Sequence, residues 1–329
     1  MTRHANPVIV EVLRGDLVES VHRAAIVVAD SGGGRVAVWG DVDRPAFPRS
    51  SLKPLQALPL VETGAAAAFG VGEEELALAC ASHGGEPRHT ERVAAWLNRL
   101  GLSETDLECG AHAPTHEATA CKVERPSALH NNCSGKHAGF LTVARHLGAP
   151  TKGYIQPDHP VQRMIADILE EMTGGIALPW GVDGCGIPAF APPLAATAAA
   201  MALLADPAIL GPERRKAAHA VVDSMRRHPL LVAGEGRQDS AVMAALPSIA
   251  VKGGAEGFAI AILPERGLGI AVKADDGAKR CAEVALLAVL DRLGEIDDHS
   301  RQVLAEWIEP PIRNVAGKVV GKVRAVLPL

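Results

Sequence analysis

Aromatic residues are scarce in this chain. They make up 3 % of its 329 residues, and Tyr154 is the single tyrosine, so small aliphatic side chains, alanine foremost, have to fill the core. Basic charge is not in excess either. The formal net charge of −5 lacks the electrostatic footprint of a nucleic-acid-binding protein. No apolar run reaches the length of a membrane span; the longest, residues 190–205, is rich in alanine and proline. The opening segment Met1-Thr2-Arg3-His4-Ala5-Asn6-Pro7 carries no apolar stretch of the kind found in a signal peptide. The six cysteines, Cys80, Cys109, Cys121, Cys133, Cys185 and Cys281, show no paired secretory spacing and read as free thiols or metal ligands rather than disulfides. Together these absences lead us to expect a cytoplasmic protein whose partner is a small molecule, with neither nucleic acid nor membrane involved.

What is there is the material of a large α+β unit. Hydrophobic residues make up 48 % and charged residues 22 %, the balance of a soluble globular domain. Residues 8–13, 24–29 and 35–39 are short β-branched runs that read as strands. Asp30-Ser31-Gly32-Gly33-Gly34 lies between the last two. A glycine turn that cradles phosphate needs a helix after it; a strand follows here, so this is hairpin chemistry. From Ser50 the pattern becomes helical, with helices expected over 73–81, 90–100, 136–147, 160–172, 194–204 and 213–226. Strand patterns return at 248–252, 258–263 and 269–273, before an alanine- and leucine-rich helix from Gly277 to about Leu293. Strands at both chain ends around a helical middle predict one antiparallel sheet built from about 1–48 and 245–329, with a helical region of about 50–228 inserted, in a single catalytic domain spanning 1–329.

Reactive and glycine residues concentrate in a few segments. Pro48-Arg49-Ser50-Ser51-Leu52-Lys53 sets a hydroxyl and an amine three apart, which a helix would bring onto one face. A desolvated, neutral Lys53 there is a base for Ser50. A chain of this length contains roughly one Ser-x-x-Lys by chance, so the spacing needs company. Cys80-Ala81-Ser82-His83-Gly84-Gly85-Glu86 follows an apolar helix and reads either as an exposed Ser-His site or as a capped, glycine-terminated helix end. Asn131-Asn132-Cys133-Ser134-Gly135-Lys136-His137 fails as a phosphate loop, because His130 and His137 occupy the positions that motif reserves for glycine and for Ser/Thr. It leaves a thiol and an amine at a helix start, where a thiol's pKa falls. Trp180-Gly181-Val182-Asp183-Gly184-Cys185-Gly186 is a contorted loop whose cysteine, with Cys133, suits a soft divalent ion such as zinc. Lys252-Gly253-Gly254, at a strand end, stands where serine acyltransferases of the Ser-x-x-Lys type carry Lys-Thr-Gly. Just upstream, the polar loop around Arg237 and Asp239 is able to bind an amino-acid head group.

In this order the segments resemble the asparaginase II family of the Rhizobium etli type, over most of the chain, from Arg49-Ser50 to Lys252-Gly253-Gly254-Ala255-Glu256-Gly257. The resemblance implies a fold like that of serine β-lactamases and glutaminases, and hydrolysis of L-asparagine to L-aspartate and ammonia. It implies two Ser–Lys pairs, Ser50 with Lys53 and Ser82 with Lys252, and a zinc site made by Cys133, Lys136 and Cys185 with Asp183 close by. A homodimer is also implied. Arg49, His83, Asp183 and Gly254 are the expected substrate-binding residues. Ser50 is the expected nucleophile with Lys53 as base, Ser82 and Lys252 relaying protons, and backbone amides around the glycines holding the oxyanion. Ser82 as nucleophile is the reverse assignment. The rival functions are a glutaminase or other serine acyl-transfer hydrolase of the same fold, and a non-catalytic zinc-binding protein.

Overall fold

The structure, a computed structural model, describes residues 5–175 and 177–328. Met1 to His4, part of the segment read for a signal peptide, lie outside the described residues. Ten strands occur among them: β1 (Val8–Arg14), β2 (Leu17–Asp30), β3 (Arg35–Trp39), β4 (Trp180–Val182), β5 (Pro188–Phe190), β6 (Ala250–Gly253), β7 (Phe258–Leu263), β8 (Leu268–Ala274), β9 (Pro311–Arg313) and β10 (Val319–Ala325). Eight form one antiparallel sheet in the order β6-β7-β8-β2-β1-β10-β9, with β3 also paired to β2. The two chain ends meet inside it, Val10 facing Ala325. This is the α+β arrangement expected from the strand–helix–strand order.

The strand β2 is long because it serves two neighbours. Its first half, from Leu17 to Arg23, pairs with β1, and its second half runs beside β3 and β8. That division is visible in burial. Leu17 to Val21 are exposed, whereas Ala24 to Ala29 are buried at every position. Successive strand residues point to opposite faces, so an unbroken buried run means that both faces of the sheet are covered there. The same holds for β7, buried throughout. Helix Leu194–Ala205 packs on β2, β7 and β8, and helix Lys279–Arg292 on β1, β7 and β8. Alanine at most of the buried positions of helix Leu194–Ala205 lets it lie close to the sheet, whereas helix Lys279–Arg292 fills its side mainly with leucine and valine.

The region between β3 and β6 is mainly helical, and it differs from expectation where the first helix should begin. Residues 49–62 do not form one helix. They form a 3-10 turn Arg49–Leu52, a short helix Lys53–Gln56 and another, Leu58–Glu62. Pro54 and Pro59 each sit in a first turn, where a missing N–H costs nothing, and each starts a new piece instead of kinking an old one. Helix Ser134–His146 runs through the middle of the insert, buried from Ser134 to Ala144. At Gly135 it lies against the end of helix Glu73–Ala79 so closely that a Cβ would stand 2.4 Å from the Leu78 carbonyl oxygen. Only glycine permits that approach, and it brings the start of one helix beside the end of the other. The hairpin β4–β5 was not anticipated, nor were β9 and β10. No helix among the described residues is long and apolar enough to cross a membrane.

Candidate active site

The buried lysine of the first marked segment and the serine of the second meet where helix Glu73–Ala79 ends. Carbonyl groups at a helix C-terminus lack helical partners and attract cations. Lys53, fully buried, reaches this point: its Nζ donates to the Ala81 carbonyl and, at 3.0 Å, to Ser82 Oγ. Burial pushes the Lys53 amine below its usual pKa, against the opposing pull of the Cys133 thiol. Lys252, also fully buried, extends from edge strand β6. Its Nζ donates to the Gly253 carbonyl at 2.6 Å and to Asp239 Oδ2 at 3.4 Å. Burial lowers its pKa to about 8, with Asp239 resisting and Lys53 and Arg237 assisting.

These bonds differ from the pairing that the resemblance implied. Lys53 is hydrogen-bonded to Ser82 rather than to Ser50, and Lys252 to Asp239 rather than to Ser82. The cause is local. Ser50 lies in the 3-10 turn, Lys53 opens the next helix piece, and the open Ala81 carbonyl draws the amine across to the other segment. Ser50 itself is half-buried, and its hydroxyl makes no hydrogen bond among the described residues. It follows Arg49, a non-glycine residue at φ +52°, a strained conformation that persists only when its surroundings enforce it. The enforcing contact is visible: Arg49 Nε donates to Asp183 Oδ1, tying the serine turn to the β4–β5 loop.

Ser50 and Ser82 open onto one cavity of about 150 Å³, lined also by Asn132, Arg237, Asp239, Gly254 and Glu283. A space this small admits a metabolite rather than a drug-sized ligand. Among the four expected substrate-binding residues, Gly254 lines this cavity. A Cβ there would stand 2.3 Å from the Pro48 carbonyl oxygen, so the glycine lets strand and serine turn touch. Arg49 and Asp183 are committed to each other outside the lining. His83 is fully buried behind it: its Nδ1 accepts the Gly85 N–H at 3.2 Å, which leaves Nε2 to donate to Ser134 Oγ at 2.9 Å. Burial keeps it neutral. The Gly253 and Gly254 N–H groups are taken by Asp239 and Phe258. The N–H groups of Ser50 and Ala255 have no partner among the described residues, and both residues line the cavity.

Cys133, Lys136 and Cys185 do converge, all buried. Lys136 Nζ lies 3.1 Å from Cys185 Sγ. A hydrogen bond from Cys185, outweighing burial and helped by Lys53 and Lys136, drives the Cys133 thiol well below its usual pKa, while that bond and burial raise Cys185. Burial alone would lower Lys136, but the thiols and Asp183 outweigh it and keep the amine protonated. Two thiols and an amine are a donor set that suits zinc, which would displace the lysine proton on binding. Asp183, which burial would raise, is held below the usual carboxylate range by Lys136, Arg49 and the Gly184 N–H. Glu86, His116 and Glu235 also have ligand atoms within 4.8 Å of one another. There the Arg88 guanidinium bonds both glutamates.

Asn132, Gln238 and Glu283 line the cavity without having been singled out. Asn132 stood inside a marked segment, but Glu283, on an alanine-rich helix beside Lys279 at i, i+4, looks like one half of a solvated ion pair.

Residues 10–325 match the family described as L-asparaginase II. No curated protein gives a significant match. Among solved structures the chain is similar to a β-lactamase (Mb2281c) from Mycobacterium bovis, with 16 % identity and a TM-score of 0.42 over 87 % of this chain and 95 % of that one. It is similar to Mglu in its native form, with 17 % identity and a TM-score of 0.50 over 85 % of this chain and 66 % of that one. A simvastatin synthase (LOVD) mutant from Aspergillus terreus matches with 14 % identity and a TM-score of 0.32 over 82 % and 93 %. At such identities the likeness concerns fold alone. The family match spans nearly the whole sequence, and this chain therefore belongs to the L-asparaginase II family of amidohydrolases.

Proposed function

We propose that the protein hydrolyses L-asparagine to L-aspartate and ammonia through a β-aspartyl ester on Ser50. The observation that carries this reading is the small cavity that both serines line beside two buried lysines of lowered pKa. Ser50 Oγ attacks the side-chain carboxamide carbon, and its proton passes through Ser82 to the neutral Lys53 amine. The free N–H groups of Ser50 and Ala255 hold the oxyanion. The C–N bond breaks as the Lys252 ammonium gives its proton to the departing ammonia. Water then attacks the ester, returning a proton to Lys252, and the Ser50–carbonyl bond breaks as Ser50 recovers its proton from Lys53. Attack by Ser82 is the second reading, favoured by the 3.0 Å bond to Lys53.

Cys133, Lys136 and Cys185 would hold zinc, whose positive charge, when bound, orders the Cys133 and Cys185 loops and orients substrate. The exposed Trp180 and Val182 of β4 and nearby Phe47 form an apolar surface in keeping with a homodimer. One assay tests the substrate and metal together: ammonia release from L-asparagine and L-glutamine in parallel, with and without chelation and zinc readdition. We expect asparagine to be preferred by roughly 10- to 200-fold, the discrimination available from one methylene, and activity to fall on chelation and return with zinc. Preferred turnover of glutamine would make the protein a glutaminase, and indifference to chelation with no zinc in the purified protein would remove the metal.

The descending limb of the pH profile follows from Lys252. The departing ammonia needs Lys252 protonated, so the rate descends as pH passes about 8, where that amine loses its proton. The Asp239 carboxylate supports the Lys252 ammonium; Asp239→Asn is expected to move the descending limb to lower pH. A limb that stays put, measured as kcat against pH, would take Lys252 out of the acid's role.

A further inference from the structure

The Ser50–Ser82 cavity holds more charge than acyl transfer uses. Arg237 lines it, half-buried at the N-cap of helix Gln238–Ala245, and its guanidinium makes no hydrogen bond or ion pair among the described residues. A permanently charged fork of five donors without a partner is set up for an anion, and a carboxylate matches it in a bidentate manner. Two residues on, Asp239 lines the same cavity. Its Oδ2 accepts the Gly253 N–H at 3.0 Å and faces Lys252 Nζ at 3.4 Å, whereas its Oδ1 accepts nothing among the described residues. A guanidinium and a carboxylate oxygen, both without a partner among the described residues, therefore face a space of about 150 Å³. Glu283, raised above its usual range by burial, has its charge engaged by Lys279 at 3.1 Å and leaves Arg237 unclaimed.

We propose that Arg237 and Asp239 Oδ1 read the zwitterionic head group of the substrate, the guanidinium taking the α-carboxylate and the aspartate oxygen the α-ammonium. The substrate class is then the free α-amino acids with a side-chain amide; N-acylated and α-amidated forms are rejected because they leave a cavity charge unpaired. This rests on the reading of the cavity as an amidohydrolase site with Ser50 at its reacting end.

The test is calorimetric binding of two probes to the wild-type protein, Arg237→Gln and Arg237→Lys, beside steady-state ammonia release. The probes are L-aspartate and 3-aminopropanamide, which lacks the α-carboxylate. Arg237→Gln is expected to weaken L-aspartate binding by roughly 30-fold or more and to leave 3-aminopropanamide unaffected. Arg237→Lys should fall between, keeping the charge but not the fork. The substituted side chain abandons no protein partner, so the melting temperature should hold. Equal loss for both probes, unchanged L-aspartate binding in Arg237→Gln, or no L-aspartate binding by the wild-type protein overturns the assignment. The two readings fail separately. Arg237-dependent L-aspartate binding without ammonia release from L-asparagine keeps the head-group site and sinks the hydrolysis; ammonia release with an unchanged KM in Arg237→Gln does the reverse.

Discussion

Replacing Ser50 with alanine is expected to lower kcat for L-asparagine by about 10⁴-fold or more, the scale on which removal of a covalent nucleophile acts, while leaving stability within about 0.5 kcal/mol of wild type. The two halves of this expectation have one source. The Ser50 hydroxyl bonds to nothing among the described residues, so the fold loses no interaction with it, and the free N–H of residue 50 stays in place. Ser82→Ala is different. It deprives the buried Lys53 of a partner at 3.0 Å and should cost both activity and stability, of order 1–3 kcal/mol for the exposed deficit. A double displacement also accumulates an ester. Quenching the enzyme with L-asparagine and mapping the added mass by peptide mass spectrometry should find it on Ser50. An ester on Ser82 would transfer the attack to the hydroxyl that Lys53 touches directly, and Ser50→Ala would then retain most of its turnover.

How far such a site can be read from sequence depends on whether the determining interaction is local. The strands 35–39 and 258–263 were legible because β-branched or alternating apolar runs sit between turn residues, and β3 and β7 have those bounds. β10 was not legible, since Gly321 and charged residues interrupt it and its partner β1 lies at the other chain end. β4 and β5 are three-residue arms around a glycine loop, too short for any periodicity. In the site, the reactive segments announced themselves by unusual residue density, and Cys133, Lys136 and Cys185 do meet. The hydrogen-bond pairing was hidden. An i, i+3 spacing says that Ser50 and Lys53 are neighbours on a helix, but it cannot say that the turn is 3-10 or that the Ala81 carbonyl is waiting elsewhere. His83 shows the converse. A serine–histidine pair before two glycines looks exposed and reactive, yet both ring nitrogens are spent on Gly85 and Ser134 inside the protein.

Gly254→Ala should have the largest effect of any single methyl added near the cavity. The new Cβ would stand 2.3 Å from the Pro48 carbonyl oxygen and 2.8 Å from Ser51 Oγ. Neither neighbour can yield alone. Pro48 precedes the strained Arg49, and Ser51 Oγ donates to the Lys252 carbonyl at 2.9 Å, the bond that fastens the serine turn to β6. Relief therefore requires the turn and the strand to part, moving Ser50 away from Ala255, whose N–H is the other proposed oxyanion donor. Overpacking of this kind costs about 1–3 kcal/mol in stability, read as a lower melting temperature. An ångström of misplacement at the reacting atoms costs about 10²-fold in kcat, so activity at 25 °C should fall further than the loss of folded protein explains. Gly211→Ala is the control, because its added methyl meets open space at an ordinary φ of −57°. If Gly254→Ala matches that control in melting temperature and in kcat, close approach at residue 254 is not what holds Ser50 in place. If it lowers kcat with melting unchanged, the turn yields more readily than the Ser51–Lys252 bond implies, and the placement of Ser50 is finer than the stability of the fold reveals.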